Sequence, residues 1–149
     1  IEMTISRNTL CAAYALMALL ALIGTWGNVF PLVLELGFWQ GTLRFWQDVL
    51  VNESSRFITI DALFLGLAIV LWMMLEARRL KIPGVWLYVA GGLLIAISVA
   101  VPLFMLHRER RLAALEPGSA AGQLAAGEML ALLLMTLAFS GYGLVALSR

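Results

Sequence analysis

Apolar and charged positions in this chain segregate into long blocks. Residues 8–34 carry no charged side chain, and neither do 62–75, 82–106 and 129–148. A helix needs roughly 20 mainly apolar residues to cross a bilayer core of ~30 Å. Three of the runs are long enough as they stand, and the second becomes so when Phe57 to Asp61 is added. The pattern therefore predicts spans near 9–32, 57–76, 84–106 and 127–147. Only helices and closed barrels satisfy every backbone polar group inside hydrocarbon, and the strict alternation of barrel strands is absent from these runs. The expected fold class is all-α, a polytopic membrane protein with four transmembrane helices in a single domain covering 1–149.

Between the first two spans the period changes. From Phe38 to Leu50 the residues Trp39, Leu43, Trp46 and Leu50 recur on one face of a helix, while Gln40, Arg44, Gln47 and Asp48 fall elsewhere. Two tryptophans on an apolar stripe suit the headgroup level, where the ring is buried and its N–H stays wet. An interfacial amphipathic helix is expected over 38–50, the alternative being a helix packed on the other spans as a lid. Asn52 to Arg56 is a polar turn with serines placed to cap the second span. Pro83-Gly84 turns the chain tightly after Glu76 to Lys81, which makes spans two and three antiparallel neighbours. Gly91-Gly92 and Ser98 allow close helix approach in span three. The stretch from Ala113 to Ala126, with Glu116-Pro117-Gly118, reads as a flexible loop.

Composition narrows the function classes. The chain is 62% hydrophobic and 13% charged, against about 25% charged in a typical soluble domain. A net charge of +1 excludes a basic nucleic-acid surface as the organising feature. The single cysteine, Cys11, rules out an intrachain disulfide and a cysteine-based metal cluster. No phosphate loop or nucleophile elbow occurs, and the lone His107 has no second histidine with which to build a metal site. No cofactor and no metal are expected. The first apolar run is too long for the core of a secretory signal and is read as a retained helix, with Met3 as the expected native start. On a straight four-span path the ten basic residues divide evenly between the two faces. The tight Arg78-Arg79-Lys81 connection then favours both termini in the cytoplasm.

Asp61 is the one formal charge set inside a span by position, about one turn from its start. Burying an acid in a bilayer costs at least ~2.5 kcal/mol, and such residues usually face protein or water. Span one leaves the membrane where span two begins, so Asn28, Glu35, Glu53, Arg56 and Asp61 form the candidate binding site, with Asp61 as the candidate catalytic acid. The basic groups Arg78, Arg79, Arg108, Arg110 and Arg111 are candidates for lipid headgroups. The straight path sets the first two of these and the last three on opposite faces.

The stretch Ser55-Arg56-Phe57-Ile58-Thr59-Ile60-Asp61, then Glu76-Ala77-Arg78-Arg79, then Val101-Pro102-Leu103-Phe104-Met105-Leu106-His107-Arg108-Glu109-Arg110, resembles a family of small bacterial membrane proteins known as a domain of unknown function. The resemblance covers about Thr25 to Leu112 and implies a bacterial inner-membrane protein, without supplying a reaction. A fainter likeness, in general plan only, is to emopamil-binding isomerases and small terpene or lycopene cyclases. Three functions stay open. The first is a non-enzymatic accessory subunit or lipid-binding scaffold, with membrane lipids and either other membrane subunits or further copies of this chain as partners, and no nucleic acid. The second is an enzyme acting on an isoprenoid or other lipid through Asp61. The third is a small proton-coupled exporter.

Overall fold

A computed structural model describes residues 1–149. The chain is almost wholly helical. A short strand β1 (Glu2–Ile5) leads into α1 (Arg7–Leu36), α2 (Phe38–Asp48), α3 (Glu53–Leu80) and α4 (Val85–Gly91). A π-helical turn (Gly92–Ala96) joins α4 to α5 (Ile97–Leu115), and strand β2 (Gly122–Ala125) precedes α6 (Ala126–Leu147). Four stretches are long and apolar enough to cross a membrane, Arg7–Leu36, Glu53–Leu80, Val85–Leu115 and Ala126–Leu147. They match the four runs read from the hydrophobic pattern.

Local chemistry sets the helix limits. Ser6 caps α1 by accepting from the Thr9 amide at 3.1 Å, and Gly37, at φ 82°, ends that helix. Asn52 caps α3 by accepting from the Ser55 amide at 2.9 Å. At the far end of α3 the Ile82 amide closes on the Ala77 carbonyl at 2.8 Å, with Lys81 left-handed at φ 53°, a Schellman-type stop. Gly84, at φ 75°, then sends the chain straight into α4.

The third apolar stretch has the length and composition of a span but folds back on itself. The Tyr88 hydroxyl lies 2.9 Å from His107 Nδ1, and the Tyr88 ring stands edge-on to Phe104 at 5.5 Å between centroids. A continuous helix would separate Tyr88 from His107 by about 28 Å at 1.5 Å per residue. The reversal lies at the π-helical turn, where Ala96 is extended (φ −167°, ψ 137°) and Gly92 packs against Ile97 and Ala100. The entering arm, Val85–Ala96, is about 18 Å long, a little over half of a ~30 Å bilayer core. Backbone carbonyls freed at such a reversal need donors. The Trp26 indole N–H of α1 supplies one, reaching the Ile95 carbonyl at 3.1 Å.

This hairpin alters the charge distribution read from a straight path. α5 runs antiparallel to α1, with Arg7 at Glu109 and Trp26 at Ile95, and brings His107–Arg111 back to the end where α1 starts and α3 stops. There Arg7 and Glu76 supply the opposite charges that hold it. The even division of basic groups becomes seven against three. Arg7, Arg78, Arg79, Lys81, Arg108, Arg110 and Arg111 gather at one end, called the basic end below, and Arg44, Arg56 and Arg149 lie at the other.

The expected flexible loop at 113–126 is also more ordered than its composition suggests. α5 continues to Leu115, and Gly122–Ala125 pairs antiparallel with Glu2–Ile5 in the register Glu2 to Ala125 and Ile5 to Gly122. The partner strand lies at the chain's other extremity, so nothing local announces it. α6 starts at this sheet and ends with Leu147 against Gly27, parallel to α1. The termini therefore sit at opposite ends of the bundle and not on one face, because the chain crosses between them three times.

The helix expected over 38–50 forms as α2, two residues shorter at its end. Gly41 is buried against Leu32 and Val33 of α1, and Trp39, Leu43 and Trp46 point outward together. α2 is expected to lie along the membrane surface with both indoles at headgroup depth. Depth-dependent quenching of tryptophan fluorescence checks this, and quenching of both rings by an aqueous quencher as strongly as in a free peptide would refute it.

Candidate functional site

Polar side chains converge at the basic end, where the start of α1 meets the last turns of α3 and α5. A cation in the first turn of a helix opposes the helix dipole and calls for an anion. Arg7 finds one in Glu109, whose Oε2 accepts from Arg7 Nη1 at 2.6 Å. Glu109 is only 3% exposed, and its Oε1 accepts from Arg108 Nη1 at 2.9 Å. Glu76, also buried, accepts from Arg108 Nε and from Arg79 Nη2, each at 2.6 Å, and from Arg79 Nε at 2.8 Å. Arg7 further donates from Nε and Nη2 to Ser119 Oγ at 3.1 and 2.9 Å, and Ser119 Oγ donates to the Glu116 carbonyl.

The helical period explains this layout. Successive residues of α5 point about 100° apart, so the run His107 to Arg111 addresses a different neighbour at each step. His107 meets α4 at Tyr88, Arg108 meets α3 at Glu76, and Glu109 meets α1 at Arg7. Arg110 points outward, and Arg111 Nε donates to the Leu80 carbonyl at the end of α3 at 2.9 Å. Both oxygens of each buried acid are occupied by guanidinium donors. The network therefore clamps three helices and offers no free carboxylate for acid–base work.

The residues expected to form one binding site are not brought together. Asn28 Nδ2 donates to the Gly24 carbonyl of its own helix at 2.7 Å, and Glu35 is exposed near the end of α1. α1 packs on α5 and scarcely touches α3, which separates Asn28 and Glu35 from the rest. Glu53, Arg56 and Asp61 do share one shallow face of α3 with Phe57, Ile60 and Phe64. Arg56 pairs with Glu53 at 3.2 Å and donates to the Leu50 carbonyl at 2.8 Å, leaving Asp61 exposed and without any partner in this chain. The five headgroup candidates all lie at the basic end. Of these, Arg79 and Arg108 are paired with the buried Glu76, while Arg78 and Arg110 are exposed and make no ion pair.

Sequence reasoning passed over Arg7, Glu109, Ser119 and Trp26. The one signal for Glu109 was an acid inside a basic run, which on a buried helix end requires cations on both sides.

Residues 13–110 match the family described as Protein of unknown function DUF2834. The chain belongs to this family. Neither the curated proteins nor the solved structures contain a match to it. The matched region runs from the first span through the hairpin to Arg110, so it takes in Glu76, Arg108 and Glu109 but stops short of Ser119, β2 and α6.

Proposed function

We propose that this DUF2834 protein is a non-enzymatic accessory subunit of a complex in the bacterial inner membrane. The observation that carries the proposal is the outer half of α3. From Phe57 to Leu65 its side chains project away from the chain, with Phe57, Ile58, Phe64 and Leu65 all more than half exposed, and Asp61 stands among them unpaired. Apolar exposure alone says little in a membrane, where lipid covers it as well as a helix would. An acid is different. Asp61 lies about 7.5 Å along the helix from Arg56, where facing lipid is costly, and a partner helix carrying a donor removes that cost. The concavity beside Asp61 is open and shallow, and its one cation, Arg56, is engaged by Glu53 and the Leu50 carbonyl, which favours a protein-covered face over an enclosed lipid site.

The distribution of basic residues supports a cytoplasmic basic end, since short loops rich in Lys and Arg stay inside. The N-terminus is then cytoplasmic and Arg149 lies on the far side.

A photo-crosslinking residue placed at Ile58 or Phe64 in the native membrane is expected to yield a discrete protein adduct, while the same residue at Leu133 on α6 yields lipid adducts. The adduct is expected to disappear in Asp61→Leu. Lipid adducts alone at all three positions would overturn the subunit reading.

A further inference from the structure

The hairpin that departs from a straight span also builds a groove. Its two arms diverge enough to leave a cleft of about 430 Å³, bounded by Leu87 and Gly91 on the entering arm, Val99 and Leu103 on the returning arm, Ile95 at the apex and His107 at the mouth. The walls are apolar throughout the depth of the arm, and glycine makes them open. Nothing lies within 4 Å of the position that a Cβ on Gly91 would take. The cleft is as long as the arm, about 18 Å, and so runs the depth of one leaflet of a ~30 Å core.

The mouth has a different character. Tyr88 holds His107 through Nδ1, which leaves the other ring nitrogen without a protein partner. Lys81 ends α3 two residues before the first groove residue, Pro83, and Arg110 follows His107 by three positions on α5. Neither Lys81 nor Arg110 makes an ion pair, and both are exposed. Arg78 adds a third exposed cation at the same end. Of the five acids at this end, Glu76 and Glu109 are saturated by Arg7, Arg79 and Arg108, Glu116 lies 3.7 Å from Arg7, Glu128 accepts from the Ala125 amide, and neither these nor Glu2 pairs with Lys81, Arg78 or Arg110. The end as a whole is net positive, seven basic residues against five acidic, and its unpaired cations Lys81 and Arg110 lie two and three residues from residues that line the leaflet-deep apolar cleft.

We infer that this cleft holds one acyl chain of an anionic phospholipid, with its phosphate at the His107 mouth between Lys81 and Arg110. Charge complementarity chooses an anionic lipid over a zwitterionic one, at about 1 kcal/mol per basic group near the surface. That is roughly fivefold in affinity for each charge. The site is separate from the α3 face proposed for a protein partner and does not depend on it.

Spin-labelled phosphatidylglycerol and phosphatidylcholine, labelled on the acyl chain, test this with the full-length protein in phosphatidylcholine vesicles. The wild type is expected to immobilise the phosphatidylglycerol probe in preference to the phosphatidylcholine probe. The joint variant K81Q/R110Q is expected to lower that preference at least tenfold while retaining a residual immobilised fraction. Gly91→Phe sets its Cβ where no protein atom lies within 4 Å and its ring in the cleft, and is expected to remove the immobilised component for both lipids. Gly141→Phe, at an equally open position on α6, is expected to change neither. Equal immobilisation of the two probes by the wild type would overturn the headgroup assignment. Full retention in Gly91→Phe would overturn the groove, and should that variant unfold, loss of the component in Leu103→Trp is the substitute result required.

Discussion

Replacing Glu109 with alanine is expected to destabilise the folded protein by about 3–5 kcal/mol, the range found when one member of a buried ion pair is removed. Glu109 is the most deeply buried acid in the chain and the only carboxylate shared by α1 and α5. Its loss leaves the Arg7 guanidinium, itself only 12% exposed, facing Ser119 and the distant Glu116 carboxylate at 3.7 Å. Arg108 suffers less because Glu76 still holds its Nε. Glu109→Gln keeps the shape and one acceptor but removes the charge, so an intermediate loss is expected. The double variant Arg7→Met with Glu109→Leu removes both charges at once and is expected to be more stable than Glu109→Ala, since an apolar replacement of a whole buried pair is often close to neutral. Reversible unfolding in mixed detergent micelles measures all three. A loss below about 1 kcal/mol in Glu109→Ala would mean that the pair is solvated and that the clamp is not a structural element.

Much of the architecture was legible because hydrophobic length is a local property. The runs 8–34, 62–75, 82–106 and 129–148 each became a helical stretch of the expected composition. The Asn52–Arg56 turn became the start of α3, capped by Asn52 and not by the serines expected to cap it, and the Trp39, Leu43, Trp46 stripe became the outer face of α2. What hydropathy does not encode is direction. A run of apolar residues from Ile82 to Leu106 reads alike whether it crosses the membrane or turns within it. The glycine pair at 91–92 is compatible both with close helix packing and with a reversal.

The deciding forces lie elsewhere in the chain, at Arg7, Glu76 and Trp26, whose pairings with Glu109, Arg108 and the Ile95 carbonyl span from 32 to 102 residues of sequence. The candidate site failed for the same reason. Asn28 and Glu35 share a membrane level with Asp61, but α5 packs on α1 and keeps α3 away. A buried polar cluster was legible in principle from Glu109, since an acid flanked by Arg108 and Arg110 at a helix end has cations on both sides and an incentive to be buried between them.

The hairpin makes an all-or-none topological prediction. In a background where Cys11 is replaced by serine, single cysteines at Lys81, Pro117 and Ser148 can be challenged with a membrane-impermeant maleimide from either side of sealed vesicles. A straight third span puts Lys81 and Pro117 on opposite faces, and Ser148 on the face of Lys81. The folded-back arm puts Lys81 and Pro117 on one face and Ser148 on the other, because only α1, α3 and α6 then cross. The first arrangement leaves Arg7 and Glu109 separated by the thickness of the bilayer. The second sets them 2.6 Å apart and concentrates seven of the ten basic residues at one end. Short cytoplasmic connections collect Lys and Arg, so Lys81 and Pro117 are expected to label from the cytoplasmic side alone and Ser148 from the opposite side alone. The same labelling pattern is expected when Arg78 and Arg110 are both changed to glutamine, because five basic residues still outnumber three. Labelling of Lys81 and Pro117 from opposite sides would refute the hairpin, and with it both the shared ion-pair network and the leaflet-deep groove.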